Sequence, residues 1–182
     1  CSGNATPWTL YPMPRIDIHL AETDDDHAAI RDLCQDWVDW QLRTFPEQHD
    51  KILTVFEPVE YARTLAALPQ IHARPKGAIL LARLDGVPAG CVMYHDWEPG
   101  VAEVKRLFVA EAGRGHGLGR ALLTEMLASM KSDGYAIARF SSARFLIHAR
   151  ALYEAMGFHE IPQPPDFPEA LRETVYFMER PL

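Results

Sequence analysis

"VKRLFVAEAGRGHGLGRALL", residues 104–123, decides how this chain is read. An apolar run leads into Gly115, Gly117 and Gly119, and a helix-like run follows directly. The start of a helix leaves its first backbone N–H groups unpaired and carries a partial positive charge. Glycines there let the backbone close on a bulky anion, and phosphate is the usual guest. The spacing excludes two common phosphate loops. A dinucleotide fingerprint needs glycine where Arg120 stands, and a P-loop needs Gly-Lys-Ser/Thr where the chain has Gly119-Arg120-Ala121. On spacing alone, an anion cradle and a plain strand-to-helix turn both remain open.

Upstream, Ala102 and Val104 share one face of a strand, and Leu107 and Val109 share one face. Strict alternation would set the two pairs on opposite sides. One extra residue at Lys105-Arg106 returns all four to a single core face, so the pattern reads as a β-bulge. The remaining chain supplies the partners of this strand. "RIDIHL" (15–20) alternates as a first strand, and Asp24 to Asp26 read as the cap and acidic start of a helix carrying Ile30, Leu33, Trp37 and Trp40. A second helix fits "EPVEYARTLAAL" (57–68), with Pro58 in its first turn. "AILLARLDGVPAGCVMYHDW" (78–97) reads as two strands about an Asp85-Gly86 turn. After the glycines come a helix bearing Leu118, Leu122, Met126 and Met130, the strand "YAIARF", and a helix from about Leu146 to Met156 stopped by Gly157. A short strand at Phe158 to Ile161, a proline-rich loop and "ETVYFME" complete the order βααβββαβαββ, an α/β layer fold.

With this context the loop acquires a family. "RGHGLG" (114–119) resembles the R/Q-x-x-G-x-G/A signature of the GNAT superfamily of N-acetyltransferases. The resemblance runs through "AEVKRLFV" upstream and "ARALYEAMGF" (149–158) downstream. It implies a GNAT-like fold: a central mixed, mostly antiparallel sheet with helices on both faces, and a bulged strand preceding the coenzyme A loop. It also implies acetyl-CoA as acetyl donor. Leu107, Phe108 and Val109 would meet its pantetheine arm, and Arg114, Gly115, His116, Gly117, Leu118, Gly119 and Arg120 would hold its pyrophosphate. Where many members carry Asn, seven residues before the tyrosine, this chain has Leu146.

Acetyl transfer to an amine needs a deprotonated amine and a proton for the departing thiolate. A lysine-like amine has a pKa of ~10 and a thiol one of roughly 8.5, so both protons call for positioned groups. Tyr153 matches the tyrosine of the family's "LYE..GF" element, which implies a general acid. Glu103 matches a position where some members place a general base; it also reads as a carboxylate ion-paired beside Lys105 and Arg106. The oxyanion would meet a strand N–H near Phe108 or Val109. His95, Asp96 and Trp97 read as hairpin-end residues or as a border of the substrate site, and Trp37 and Trp40 as core on an amphipathic helix or as lining of an acceptor pocket. The histidines show no spacing of a zinc site, so no metal is implied. The segments "TFPEQHDKILTVFEP" and "PQPPDFPEALR" would shape the acceptor site as loops.

Bulk properties bound the function. A chain of 182 residues with a net charge of −7 lacks the cationic surplus that nucleic acid or an anionic membrane requires. It suits an amine partner, small-molecule or peptide/protein, and is compatible with a homodimer. No apolar run approaches the ~18 residues of a membrane span. Three cysteines without a CxxC pair point to the cytoplasm rather than to a disulfide framework. Residues 1–14 are expected to be an arm and residues 15–182 one acetyltransferase domain. A non-catalytic acyl-CoA-binding sensor is the alternative to an enzyme.

Overall fold

The computed structural model describes residues 13–182, so the arm expected over residues 1–14 lies almost wholly outside the described residues. The elements are β1 (Ile16–Leu20), α1 (Asp24–Thr44), α2 (His49–Val55), α3 (Pro58–Ile71), β2 (Ala78–Leu84), β3 (Val87–Glu98), β4 (Val101–Val109), α4 (Leu118–Ser132), β5 (Ile137–Ala143), α5 (Ile147–Ala155), β6 (His159–Ile161) and β7 (Val175–Pro181). They form one seven-stranded sheet in the order β1-β2-β3-β4-β5-β7-β6, in which only β4 and β5 run parallel. Helices cover both faces. Leu118, Leu122, Leu123, Met126 and Met130 of α4, with Tyr153 of α5, bury against one face; Ile30, Leu33 and Val38 of α1, with Tyr61, Leu65 and Leu68 of α3, bury against the other. This is the mixed, mostly antiparallel architecture expected.

Local chemistry explains the boundaries. Asp85 and Gly86 both take positive φ, 51° and 83°, which suits a tight turn between β2 and β3. At the end of α5 the Phe158 N–H bonds the Tyr153 carbonyl and the Gly157 N–H bonds the Glu154 carbonyl. Gly157 is left-handed there, and the Tyr153 and Phe158 rings touch edge-on at 5.9 Å, closing a Schellman motif. At the start of α1 the expectation needs a one-residue correction. Thr23 is the cap: its hydroxyl accepts from the Asp26 N–H while the Asp26 carboxylate accepts from the Thr23 N–H.

Two further differences concern helices. The segment expected as a loop between the first two helices contains α2, whose Ile52 is buried in the core. Helix α3 continues past Pro69 to Ile71, although Pro69 has no N–H to give the carbonyl four residues back.

The bulge is where the sequence pattern puts it. Cys91 pairs with Phe108 and Met93 with Lys105, so Val92 faces two residues, Arg106 and Leu107. Arg106 takes φ 51°, and Ala102, Val104, Leu107 and Val109 all pack into the α4-side core. Phe108 is thereby turned to the opposite core. Strands β4 and β5 pair only from Val101 to Glu103. Beyond that they part, and residues 104–109 are left without a strand partner on the β5 side.

Candidate active site

The gap between β4 and β5 opens into a cavity of ≈890 Å³. Its floor is residues 104–109 of β4, and one wall is residues 140–143 of β5 with the start of α5. The opposite wall comes from α1, α2 and α3. Trp37 and Trp40 line this wall, Trp37 while also packing against the core, and so do Phe45, Ile52 and Phe56 of the segment expected to shape an acceptor site. Leu171, Thr174 and Val175, at the end of the proline-rich loop, close the rim.

Among the proposed cofactor residues, Leu107, Phe108, Val109, Arg114 and Gly119 line the cavity. The others build the loop beside it. Gly115 and Gly117 are left-handed, with φ of 80° and 75°, and nothing lies within 4 Å of where their Cβ atoms would be. Gly117 is the N-cap of α4 and no side chain caps the helix, whose first intrahelical N–H bond is that of Ala121 to the Gly117 carbonyl. The N–H groups of Leu118, Gly119 and Arg120 therefore remain available to an anion. The Leu118 side chain is fully buried, so its contribution would be its N–H alone. Gly119 has a separate reason: a Cβ there would stand 3.2 Å from Leu152 Cδ2 and 3.8 Å from Val109 Cγ2. Arg114 stacks over Trp40 at 4.8 Å. The Arg120 guanidinium reaches the Met156 sulfur.

Tyr153 lines the cavity and is 6% exposed. Its ring is held by Phe140 at 4.1 Å and Phe158 at 5.9 Å. Burial, with Tyr176 nearby, pushes its phenol above the ordinary value, so the hydroxyl keeps its proton at neutral pH. Leu146 and His148 also face the cavity, and the N-terminus of α5 has no side-chain cap.

Glu103 is 5% exposed and does not line the cavity. Its Oε1 lies 2.6 Å from Lys105 Nζ and its Oε2 lies 3.1 Å from His95 Nε2. Burial alone would raise this carboxyl, but His95 and Lys105 together outweigh it and hold it below the usual carboxylate range. The Glu103 bond raises His95 in turn, against burial. His95, set aside as a hairpin-end residue, thus belongs with Glu103; the two are direct cross-strand partners in the β3–β4 register. His72, the C-cap of α3, lies 5.3 Å from the His95 ring and tilted to it, and donates from Nδ1 to the Tyr94 carbonyl, leaving Nε2 buried without a partner.

Comparison with known proteins places this geometry. The family model described as "Acetyltransferase (GNAT) family" matches residues 34–158. The chain is similar to an IAA acetyltransferase of Azospirillum brasilense, 33% identical over 138 residues, which are 75% of this chain and 87% of that protein. In fold it resembles the PaiA N-acetyltransferase of Thermoplasma acidophilum, solved in complex with coenzyme A (TM-score 0.68, 16% identity, 92% of this chain and 99% of that one). It likewise resembles YncA of Salmonella typhimurium, an acetyltransferase structure with acetyl-CoA (TM-score 0.62, 23% identity, 92% and 94%).

Proposed function

The chain belongs to the GNAT family of acetyltransferases and is an acyltransferase enzyme, and from that premise we propose that it moves an acetyl group from acetyl-CoA to a primary amine by direct transfer. The observation that carries this reading is one of placement. The uncapped, glycine-led start of α4, the unpaired edge of β4 and the Tyr153 side chain all border the same gap between β4 and β5. These residues fit a phosphate-bearing thioester. The free N–H groups of residues 118–120 and the Arg114 side chain would hold the pyrophosphate, with Gly115, His116 and Gly117 giving the close backbone approach. The open edge at Leu107, Phe108 and Val109 would pair with the amides of the arm. Coenzyme A structures of PaiA and YncA, which share the fold, support this choice of donor.

When bound, acetyl-CoA supplies an activated acetyl group on a good leaving thiol. The chain supplies the proton management. Tyr153 Oη holds the proton that a leaving thiolate requires, and its apolar surroundings keep it there until needed. Glu103 acts on the amine as half of a pair. It does not line the cavity, so the amine's proton reaches its carboxylate through water, while Lys105 Nζ and His95, whose Nδ1 donates to the Asp96 carbonyl, keep that carboxylate ionised until then. The enzyme works in the cytoplasm as one domain over residues 15–182, on a small-molecule or peptide amine.

Release of the CoA thiol, followed over a panel of amines with the acetylated products identified by mass spectrometry, tests this function. The expected result is release that depends on the amine. Saturable acetyl-CoA binding without turnover on any amine would instead fit a sensor of the cofactor.

A further inference from the structure

The end of the cavity away from α4 is walled by rings. Trp37 meets Phe56 edge-on at 5.2 Å, and Phe56 meets Tyr61 at 5.1 Å. Tyr61 is fixed in turn, because its hydroxyl donates to the Cys34 carbonyl at 3.0 Å. Against this wall stands Arg106, carried on the β4 bulge, with its guanidinium carbon 5.9 Å from the Tyr61 ring centroid. The residue is half-buried, its Nε is buried without a hydrogen-bond partner, and among the described residues its guanidinium makes no ion pair. The other cations of the cavity are engaged or peripheral. Lys105 is paired with Glu103, Arg114 stacks on Trp40, and Lys51 is exposed.

A guanidinium only partly hydrated, with its Nε buried and no anion beside it, gains from an anion that reaches it. The site gains most from a ligand that brings a negative charge to Arg106 beside the rings of Trp37, Phe56 and Tyr61; Glu60, the carboxylate that lines the cavity, is paired with Arg63. A planar carboxylate matches the guanidinium fork, and a single unpaired cation matches one negative charge better than the near-double charge of a phosphate. We propose that Arg106 sets acceptor specificity, and that the acceptor is an amine-bearing carboxylic acid with a flat apolar body, of the aromatic amino acid class. Its carboxylate pairs with Arg106 and its body lies along Trp37, Phe56 and Tyr61. This rests on the acetyl-transfer reading above.

The test compares two ligands that differ only in charge. Protein first shown by calorimetry to bind CoA is titrated, CoA-saturated, with 3-phenylpropionate and with 3-phenylpropionamide. The acid binds at least about tenfold more tightly than the amide, and in Arg106→Gln the ratio falls to within about twofold while CoA affinity is kept. Equal affinities in the unsubstituted protein, or a ratio that survives Arg106→Gln, overturn the proposal even where CoA binds normally. Because the ligand pair is compared in the unsubstituted protein, a variant that fails to fold does not shield the claim. Loss of CoA binding itself would overturn the reading beneath it. With acetyl-CoA, aromatic amino acids release CoA thiol at lower KM than their decarboxylated amines; equal KM values overturn the acceptor assignment.

Discussion

Tyr153 and Glu103 are both enclosed by partners, but only Tyr153 reaches the cavity. Tyr153 sits in a local element whose stop signal, Gly157, fixes the ring's position through the helix cap, so sequence neighbours alone bring it to the cavity. Phenylalanine there would keep the packing on Phe140 and Phe158 and remove only the proton donor. Tyr153→Phe is therefore expected to lower kcat by about 10²-fold or more. Acetyl-CoA affinity and melting temperature should stay near the unsubstituted values. Single-turnover rates beside calorimetry check this, since slow product release would mask the chemical step. A large loss of melting temperature with full kcat would make Tyr153 a core residue only. Glu103 has one partner that the local pattern announces, Lys105, and one that it does not, since His95 reaches it from the neighbouring strand. His72 offers a second residue-scale prediction. Burial holds its folded pKa at about 4, below the 6.5 of the unfolded chain, so its contribution to stability is complete above pH 6.5 and is lost as pH falls towards 4. The raised His95 contributes fully below pH 6.5, and the depressed Glu103 is lost only below its ordinary 4.5, so neither masks the window. Urea unfolding should show roughly 2 kcal/mol lost between pH 6.5 and 5. His72→Asn should flatten that slope.

At the scale of elements, the bulge in β4 and the glycine loop could be read because each leaves a mark within a few residues. A slip in the alternation at Lys105-Arg106 fixes the first, and the Gly115, Gly117, Gly119 spacing the second. Helix α2 left no such mark. Its seven residues hold to the fold largely through Ile52, a contact made by packing rather than by periodicity. The cap of α1 was read one residue late because Asp24 is as good a capping residue as Thr23, and only the reciprocal Asp26 bond separates them. The two glycines about the α4 start also separate by mechanism. Gly117→Val places a β-branched residue at φ 75° in open space, so strain at the cradle is its main effect. Gly119→Val drives a side chain into Leu152 of α5 and Val109 of β4. Both should weaken acetyl-CoA binding at least about tenfold by calorimetry. Gly119→Val should in addition slow turnover, since α5 carries Tyr153. Gly117→Asn, which tolerates the left-handed region, should retain the fold. If both valine variants fold and bind acetyl-CoA normally, the phosphate site lies elsewhere.

For the molecule as a whole, the mostly antiparallel sheet with helices on both faces and the bulged strand before the loop follow from element order and family resemblance, whereas the acceptor end does not. Trp37, Phe56, Tyr61 and Arg106 come from α1, the α2–α3 link, α3 and a bulge, and only the packing of α1, α2 and α3 over the sheet assembles them. That is why Trp37 and Trp40 read as core on an amphipathic helix and yet face a cavity. Among the described residues no helix is long and apolar enough to cross a membrane. The account stands on the gap being an acyl-CoA site continuous with that acceptor end. Calorimetric titration of the protein with acetyl-CoA, paired with a melting curve at each ligand concentration, measures this most directly. The account predicts saturable one-to-one heat and a melting temperature that climbs with ligand concentration, as binding to the folded state alone requires. No heat and no thermal shift at millimolar acetyl-CoA would contradict it.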